Sequence, residues 1–172
     1  MKSWSGIRKI LEQDRLAPSL RGRVSYFITR YREAHDDQGR LAILVEGKEL
    51  FKANPWSSKT GQWIDWHEVK KQFPSLDYTE LATKAWNLNL REGFGDCGDF
   101  YRAFEEYDTQ DVEKSLISEN PLVRAMAILD RRVGKRRLKR LMEQGFSHEP
   151  QWLQAIYRLR LEAEEINSKE NI

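Results

Sequence analysis

The sequence predicts an α+β protein: an N-terminal helix, a three-stranded antiparallel β-meander, then a predominantly helical C-terminal half. Three observations lead there. Alternating apolar patterns are confined to residues 21–53. Turn-forming stretches cut that region into short runs. From Trp63 onward the apolar residues follow helical spacing, which places helices on one face of a small sheet.

Each element has a local reason. Ser3 or Ser5 can cap a first helix carrying Ile7, Ile10 and Leu11, and Pro18 ends it. RGRVSYFITRYR (21–32) is rich in β-branched and aromatic residues, with Val24, Tyr26 and Ile28 on one face and Phe27, Thr29 and Tyr31 on the other. HDDQG makes a polar loop, RLAILV (40–45) a second strand, and Glu46-Gly47 a tight turn into KELFKA (48–53). NPWSSKTGQW (54–63) reads as a Trp-bearing loop. Helices follow over IDWHEVKKQF, over LATKAWNLNL capped by Asp77, and over DFYRAF capped by Asp96 or Asp99. Thr109 caps QDVEKSLIS, and Asn120-Pro121 opens the next helix.

Leu122, Met126, Leu129 and Val133 form one stripe; Leu138, Leu141 and Met142 form another. At about 100° per residue the two are out of phase, so the helix breaks at Gly134 into a hairpin of two short helices. A last helix carries Trp152, Ile156, Leu159 and Ala163. The 172 residues therefore read as a single α+β domain, with helix and sheet in 1–60, helices in 61–168 and a frayed tail at 169–172.

Six Trp, six Tyr and seven Phe exclude a disordered chain. The only cysteine, Cys97, points to a reducing, cytoplasmic compartment. No signal-peptide pattern and no membrane-spanning apolar run is present. The net charge of +2 hides a segregation: residues 1–74 carry +5, residues 75–120 carry −7 and residues 121–172 carry +4. Such a pattern favours internal or intersubunit pairing at least as much as a nucleic-acid footprint.

Two resemblances accompany these patterns. ENPLVRAMAILDRRVGKRRLKRL (119–141) resembles a HEAT-like helical repeat, with Pro121 opening the helix, Arg124 exposed, Ala127 buried and an Asp130–Arg136 pair at the turn. KSWSGIRKILE, SLRGRVSYFITRYREAHD, VEGKELF, LDRRVGKRRL and IYRLRLEAE together resemble an uncharacterised bacterial family of short cytoplasmic proteins. That resemblance implies a bacterial origin and no particular activity or site residue.

Catalytic signals are weak. His35, His67 and His148 lack metal-ligand spacing. Asp65, His67 and Glu68 sit on a helix face and point apart. GDCGD (95–99) places Cys97 near a helix N-terminus, but Asp96 and Asp99 would raise its thiol pKa. There is no P-loop and no G-x-S-x-G elbow. No cofactor or metal is implied.

The charged and aromatic candidates are stronger. LDRRVGKRRLKRL gathers Arg131, Arg132, Lys135, Arg136, Arg137, Lys139 and Arg140 at one helical corner. The strand 21–32 interleaves Arg23, Arg30 and Arg32 with Tyr26, Phe27 and Tyr31, as in sheets that stack single-stranded bases. Trp56 and Trp63 can anchor a protein interface. The expectation is a non-enzymatic module that binds a macromolecule, a protein or a second copy of itself, with RNA or DNA binding through 131–140 and 21–32 as the alternative. The acidic segment 92–119 is expected to decide how many of the basic residues stay free.

Overall fold

A computed structural model describes residues 2–29, 39–53 and 64–166. The order is α1 (Trp4–Lys9), β1 (Val24–Ile28), β2 (Leu41–Val45), β3 (Lys48–Ala53), α2 (Trp66–Gln72), α3 (Tyr78–Arg91), α4 (Cys97–Thr109), α5 (Val112–Leu116), α6 (Pro121–Leu129), α7 (Lys135–Gln144) and α8 (Gln151–Ala163). Both strand pairs are antiparallel, in the order β1-β2-β3. The α+β arrangement is as the sequence predicts.

The sheet turns its apolar face inward. Tyr26, Ile43 and Phe51 lie side by side across it, all buried. The hairpin Glu46-Gly47 has positive φ at both residues, 51° and 77°, the geometry whose twist matches the strands it joins. Phe100 of α4 meets the sheet edge-on, with Tyr26 at 5.8 Å and Trp4 at 5.7 Å between ring centroids. On the far edge Phe51 packs on Trp152 of α8 at 4.1 Å.

Helix α6 is the centre of the helical half. Every residue from Pro121 to Leu129 is buried, and it packs against α4, α5 and α8. Asn120 caps it through Leu122 N–H, with Pro121 in the first turn. A smaller apolar group, Val69, Leu81 and Ala85, ties α2 to α3. Asp77 and Asp96 each complete a reciprocal capping box, with Glu80 and Asp99.

Several local expectations are corrected. The first helix does not run evenly to Pro18; after α1 it continues as a π turn over Ile10–Asp14. That wider turn brings Glu12 to the sheet, where its carboxylate accepts Tyr26 N–H at 2.8 Å. Thr109 does not cap α5: its hydroxyl donates back to Glu105 O, and Asp111 holds the N-cap position. Arg124, placed on the surface by the repeat resemblance, is 8% exposed. Asp130 pairs with Arg132 rather than with Arg136 or Arg137. In α8 the buried face is Leu153, Ile156, Tyr157 and Arg160 as well as Leu159, while Trp152 is only partly covered. The frayed-tail reading of 169–172 lies outside the described residues.

The corner between α6 and α7 is tied from three sides. Asp130, 1% exposed, accepts from Tyr107 O–H at 2.5 Å and from Arg132 Nε and Nη2 at 2.9 and 2.6 Å. Its other oxygen accepts Arg132 N–H at 2.8 Å. The N-terminal segment clips on through Arg131 N–H to Arg15 O and Ala17 N–H to Leu129 O. From α8, Arg160 donates to Val133 O at 3.1 Å. Removing the buried carboxylate would strand the Tyr107 hydroxyl. Asp130→Ala is therefore expected to cost about 3 kcal/mol in a urea or guanidinium unfolding titration; a loss below about 1 kcal/mol would show that the corner is held by packing alone.

Candidate functional site

Two places on the fold gather chemistry. The first is the basic corner and α7. Its charges divide into two groups. Arg132 is committed to Asp130 and lies over the Tyr107 ring at 5.8 Å. Arg137 pairs with Glu113, and Lys135 reaches Glu164 at 3.9 Å. Arg131, Arg136, Lys139 and Arg140 are exposed and have no ion-pair partner among the described residues. Leu138 is fully buried and Leu141 partly so, which turns the opposite, cationic side outward.

The acidic segment does not neutralise this face. Asp108 binds Lys2 and Arg15, Asp99 binds Arg102, Glu106 accepts from Ser118, and Glu119 sits 3.8 Å from Lys84. Only Glu113 reaches the corner. Helix α7 also begins without a side-chain cap or an acidic residue in its first turn, and Gly134 is its N-cap. Cations therefore crowd the positive end of the helix dipole, an arrangement that an incoming anion relieves.

The strand candidate fares differently. Tyr26 is 3% exposed and belongs to the core, so it offers no stacking face. Phe27 is exposed, with the Arg40 guanidinium 5.7 Å from its ring centre. Arg23 is paired with Glu46 at 3.0 Å. Arg30, Tyr31, Arg32, Trp56 and Trp63 lie outside the described residues, as does His35. His67 Nδ1 sits 2.5 Å from the Asp65 carboxylate, and no cluster suited to a metal ion exists among the described residues. Cys97 is buried as the first residue of α4. Residues 93–98 spell G-x-G-x-x-G, a pattern the reading of GDCGD overlooks. They join α3 to α4, helix to helix, and so lack the strand-to-helix setting in which that pattern cradles a dinucleotide.

The second place escapes sequence reasoning. Glu149, 5% exposed, precedes α8 and forms an ion pair with Arg124 of α6 at 2.7 Å. Arg91 of α3 lies at 3.7 Å and His148 at 3.5 Å. Arg124 also donates to Ser118 O, and Arg91 donates to His148 O at 2.6 Å. Trp152 Nε1 holds Arg91 O at 3.2 Å. Tyr157 of α8 stands beside this group, stacked on Phe146 at 4.9 Å. Burial and the Glu149 charge raise the Tyr157 pKa from 10.0 to about 12. One sequence signal exists for the cluster: Arg124 is the lone charge inside PLVRAMAIL, and a buried charge requires a partner. The partner's identity is invisible, because it sits 25 residues away.

With this geometry in place, the comparisons with known proteins give one result. A family model described as the SF0329 protein family matches residues 3–161. The chain belongs to the SF0329 protein family. No curated protein and no solved structure matches it significantly. No helix among the described residues is long and apolar enough to cross a membrane.

Two outcomes follow for this member of the family. Glu149→Leu leaves Arg124 buried without its counter-charge and is expected to destabilise by about 3–5 kcal/mol. Adding Arg124→Met removes the orphaned charge, so the double variant should regain most of that loss in denaturant titrations. A double variant as unstable as the single would mean the pair does not act as a unit. Alkaline pH gives the second. Burial raises the folded-state pKa of Tyr26, Tyr107 and Tyr157 above the unfolded value. Their protonated forms thus stabilise the fold fully below about pH 10, and that contribution is lost as pH rises through about 12 for Tyr157. Unfolding midpoints should be level in this respect up to about pH 10 and fall beyond it; a tyrosinate absorbance titration with every tyrosine ionising near pH 10 would contradict the burial.

Proposed function

We propose that this protein is a non-enzymatic interaction module that presents the outer face of α7 to an acidic surface on a partner protein. The observation that carries the reading is the set Arg131, Arg136, Lys139 and Arg140, exposed and unpaired while the neighbouring Arg132 and Arg137 are spent on internal carboxylates. The corner beneath is rigidly tied, so the cations are displayed on a fixed frame, which lowers the entropic cost of docking. Cationic faces of this kind speed association with acidic partners and choose among them. The repeat resemblance of 119–141 fits the same use, since HEAT-like helices commonly serve as binding scaffolds. A reducing cytoplasm as the compartment is supported by the single, buried Cys97, and a bacterial origin rests on the resemblance of the five sequence stretches alone.

Nucleic acid is the second reading, favoured by the uncapped, cation-bearing N-terminus of α7. It ranks behind an acidic protein because Tyr26 is buried and the net charge is only +2.

The two readings separate in one salt series. Poly-glutamate and a duplex oligonucleotide are titrated into the wild type and into the variant Arg131→Gln/Arg136→Gln/Lys139→Gln/Arg140→Gln. The variant should keep its melting temperature, because the four side chains make no internal ion pair. It should bind poly-glutamate at least about tenfold more weakly. If duplex affinity falls with a log-log salt slope of about −3 to −4, as four phosphate contacts require, and exceeds that for poly-glutamate, nucleic acid is the partner. Equal binding of both polyanions by wild type and variant would remove α7 from the function.

A further inference from the structure

A cleft of about 600 Å³ opens beside the Glu149 cluster, within the size range of small-molecule sites. It is walled by α3, α6, the end of α7, the turn before α8, and α8 itself. Its apolar side is Leu88, Leu141 and Phe146; its polar side is Arg91, Arg124 and Tyr157. Three features of the polar side bear on what could occupy it.

First, Tyr157 is 4% exposed, yet its hydroxyl has no hydrogen-bond partner among the described residues. The oxygen is not among the sealed, unsatisfied atoms of the interior, so its remaining exposure is to the cleft it lines. A neutral phenol there is a donor without an acceptor, and buried polar groups left unmatched are costly. Second, Arg91 uses Nη2 on His148 O, while Nη1 makes only the long 3.7 Å ion pair. It keeps donors to spare in a fixed fork. Third, the charges do not cancel. Lys84, Arg91 and Arg124 face Glu119 and Glu149, and His148 adds a positive charge when protonated. The cleft is cationic by at least one unit, and Leu88, Leu141 and Phe146 add apolar lining, with Phe146 stacked on Tyr157.

We propose that this cleft binds a small organic anion, a carboxylate or phosphate monoester on an apolar or aromatic body. The Tyr157 hydroxyl and the Arg91 guanidinium donate to its oxygens. Arg124 and Glu149 act as positioning residues: their close mutual ion pair meets the Glu149 charge and leaves Arg91, anchored on His148 O, with donors to spare for the ligand. Leu141 and Phe146 receive the body of the ligand. The site is separate from the outer face of α7 and does not depend on the partner proposed for it.

Calorimetric titration tests this with phenyl phosphate and benzoate as anionic probes and benzyl alcohol as the neutral counterpart. Saturable binding of at least one anion and none of the alcohol is expected, and the preferred anion identifies the head group. Tyr157→Phe should weaken that binding about tenfold, the worth of one donor to a charged acceptor, while the melting temperature does not fall, because the hydroxyl has no internal partner. Arg91→Met should weaken binding at least as much. The four-site α7 variant should bind the anion as the wild type does, which sets this site apart from that face. The proposal is overturned if neither anion saturates at millimolar concentration, if benzyl alcohol binds equally, if both Tyr157→Phe and Arg91→Met bind as the wild type, or if the α7 variant abolishes binding.

Discussion

A carboxylate withdrawn from water must have its lone pairs met, or the fold that buries it is unstable. Asp130 meets this condition with the Tyr107 phenol of α4 and with the guanidinium and main-chain amide of Arg132 in its own turn. The geometry that satisfies it also fixes how α6 gives way to α7, how α4 stands against α6, and where the N-terminal segment lies. Tyr107 is held by the carboxylate, and the Arg15 guanidinium lies 5.2 Å from its ring centre. Arg15 O in turn receives Arg131 N–H at 2.7 Å. The helical half and the N-terminal segment therefore share one buried polar joint.

The joint explains the surface above it. With Leu129, Asp130, Val133 and Leu138 buried on the inner side, the basic positions of the corner and of α7 turn outward. Apart from Glu113 on Arg137, the carboxylates of the acidic middle do not reach them, because they are engaged elsewhere. Asp96 and Asp99 close a capping box, Asp108 secures Lys2 and Arg15, and Glu106 binds Ser118. Charge segregation along the sequence thus resolves into pairs within the acidic middle, pairs from it to the N-terminal segment and one contact to Arg137, and leaves Arg131, Arg136, Lys139 and Arg140 without an ion-pair partner among the described residues. Segregated composition and segregated pairing are different things, and only the second bears on a partner.

The Glu149 cluster obeys the same rule with a different result. Asp130 is enclosed and fully matched. Glu149 is matched by Arg124 but stands at the margin of a cleft, with Arg91, His148 and Tyr157 around it. Both sets use an arginine and a tyrosine, and the distinction between them is in what is left over: Tyr107 gives its hydroxyl to Asp130, whereas the Tyr157 hydroxyl beside Glu149 has no hydrogen-bond partner among the described residues.

By itself the sequence determined the elements. Alternation placed three strands, Asn120 and Asp77 marked helix starts, Asp96 or Asp99 marked a third that the structure assigns to Asp96, and the phase mismatch between Met126 and Leu138 located the break at the corner. These signals are readable because capping and periodicity act over a few residues. Where a local rule had competitors, the reading failed: Thr109 satisfies its own helix, and Arg124 answers a glutamate instead of solvent. Only the tertiary structure decided that Tyr26 is core, that Asp130 selects Arg132, and that Arg91, Arg124, Glu149 and Tyr157 meet at one cleft. The cleft joins residues tens of positions apart, and the choice of Arg132 over its basic neighbours follows from how Asp130 is buried against Tyr107, 23 residues away; burial and charge pairing of that kind leave no period in the chain.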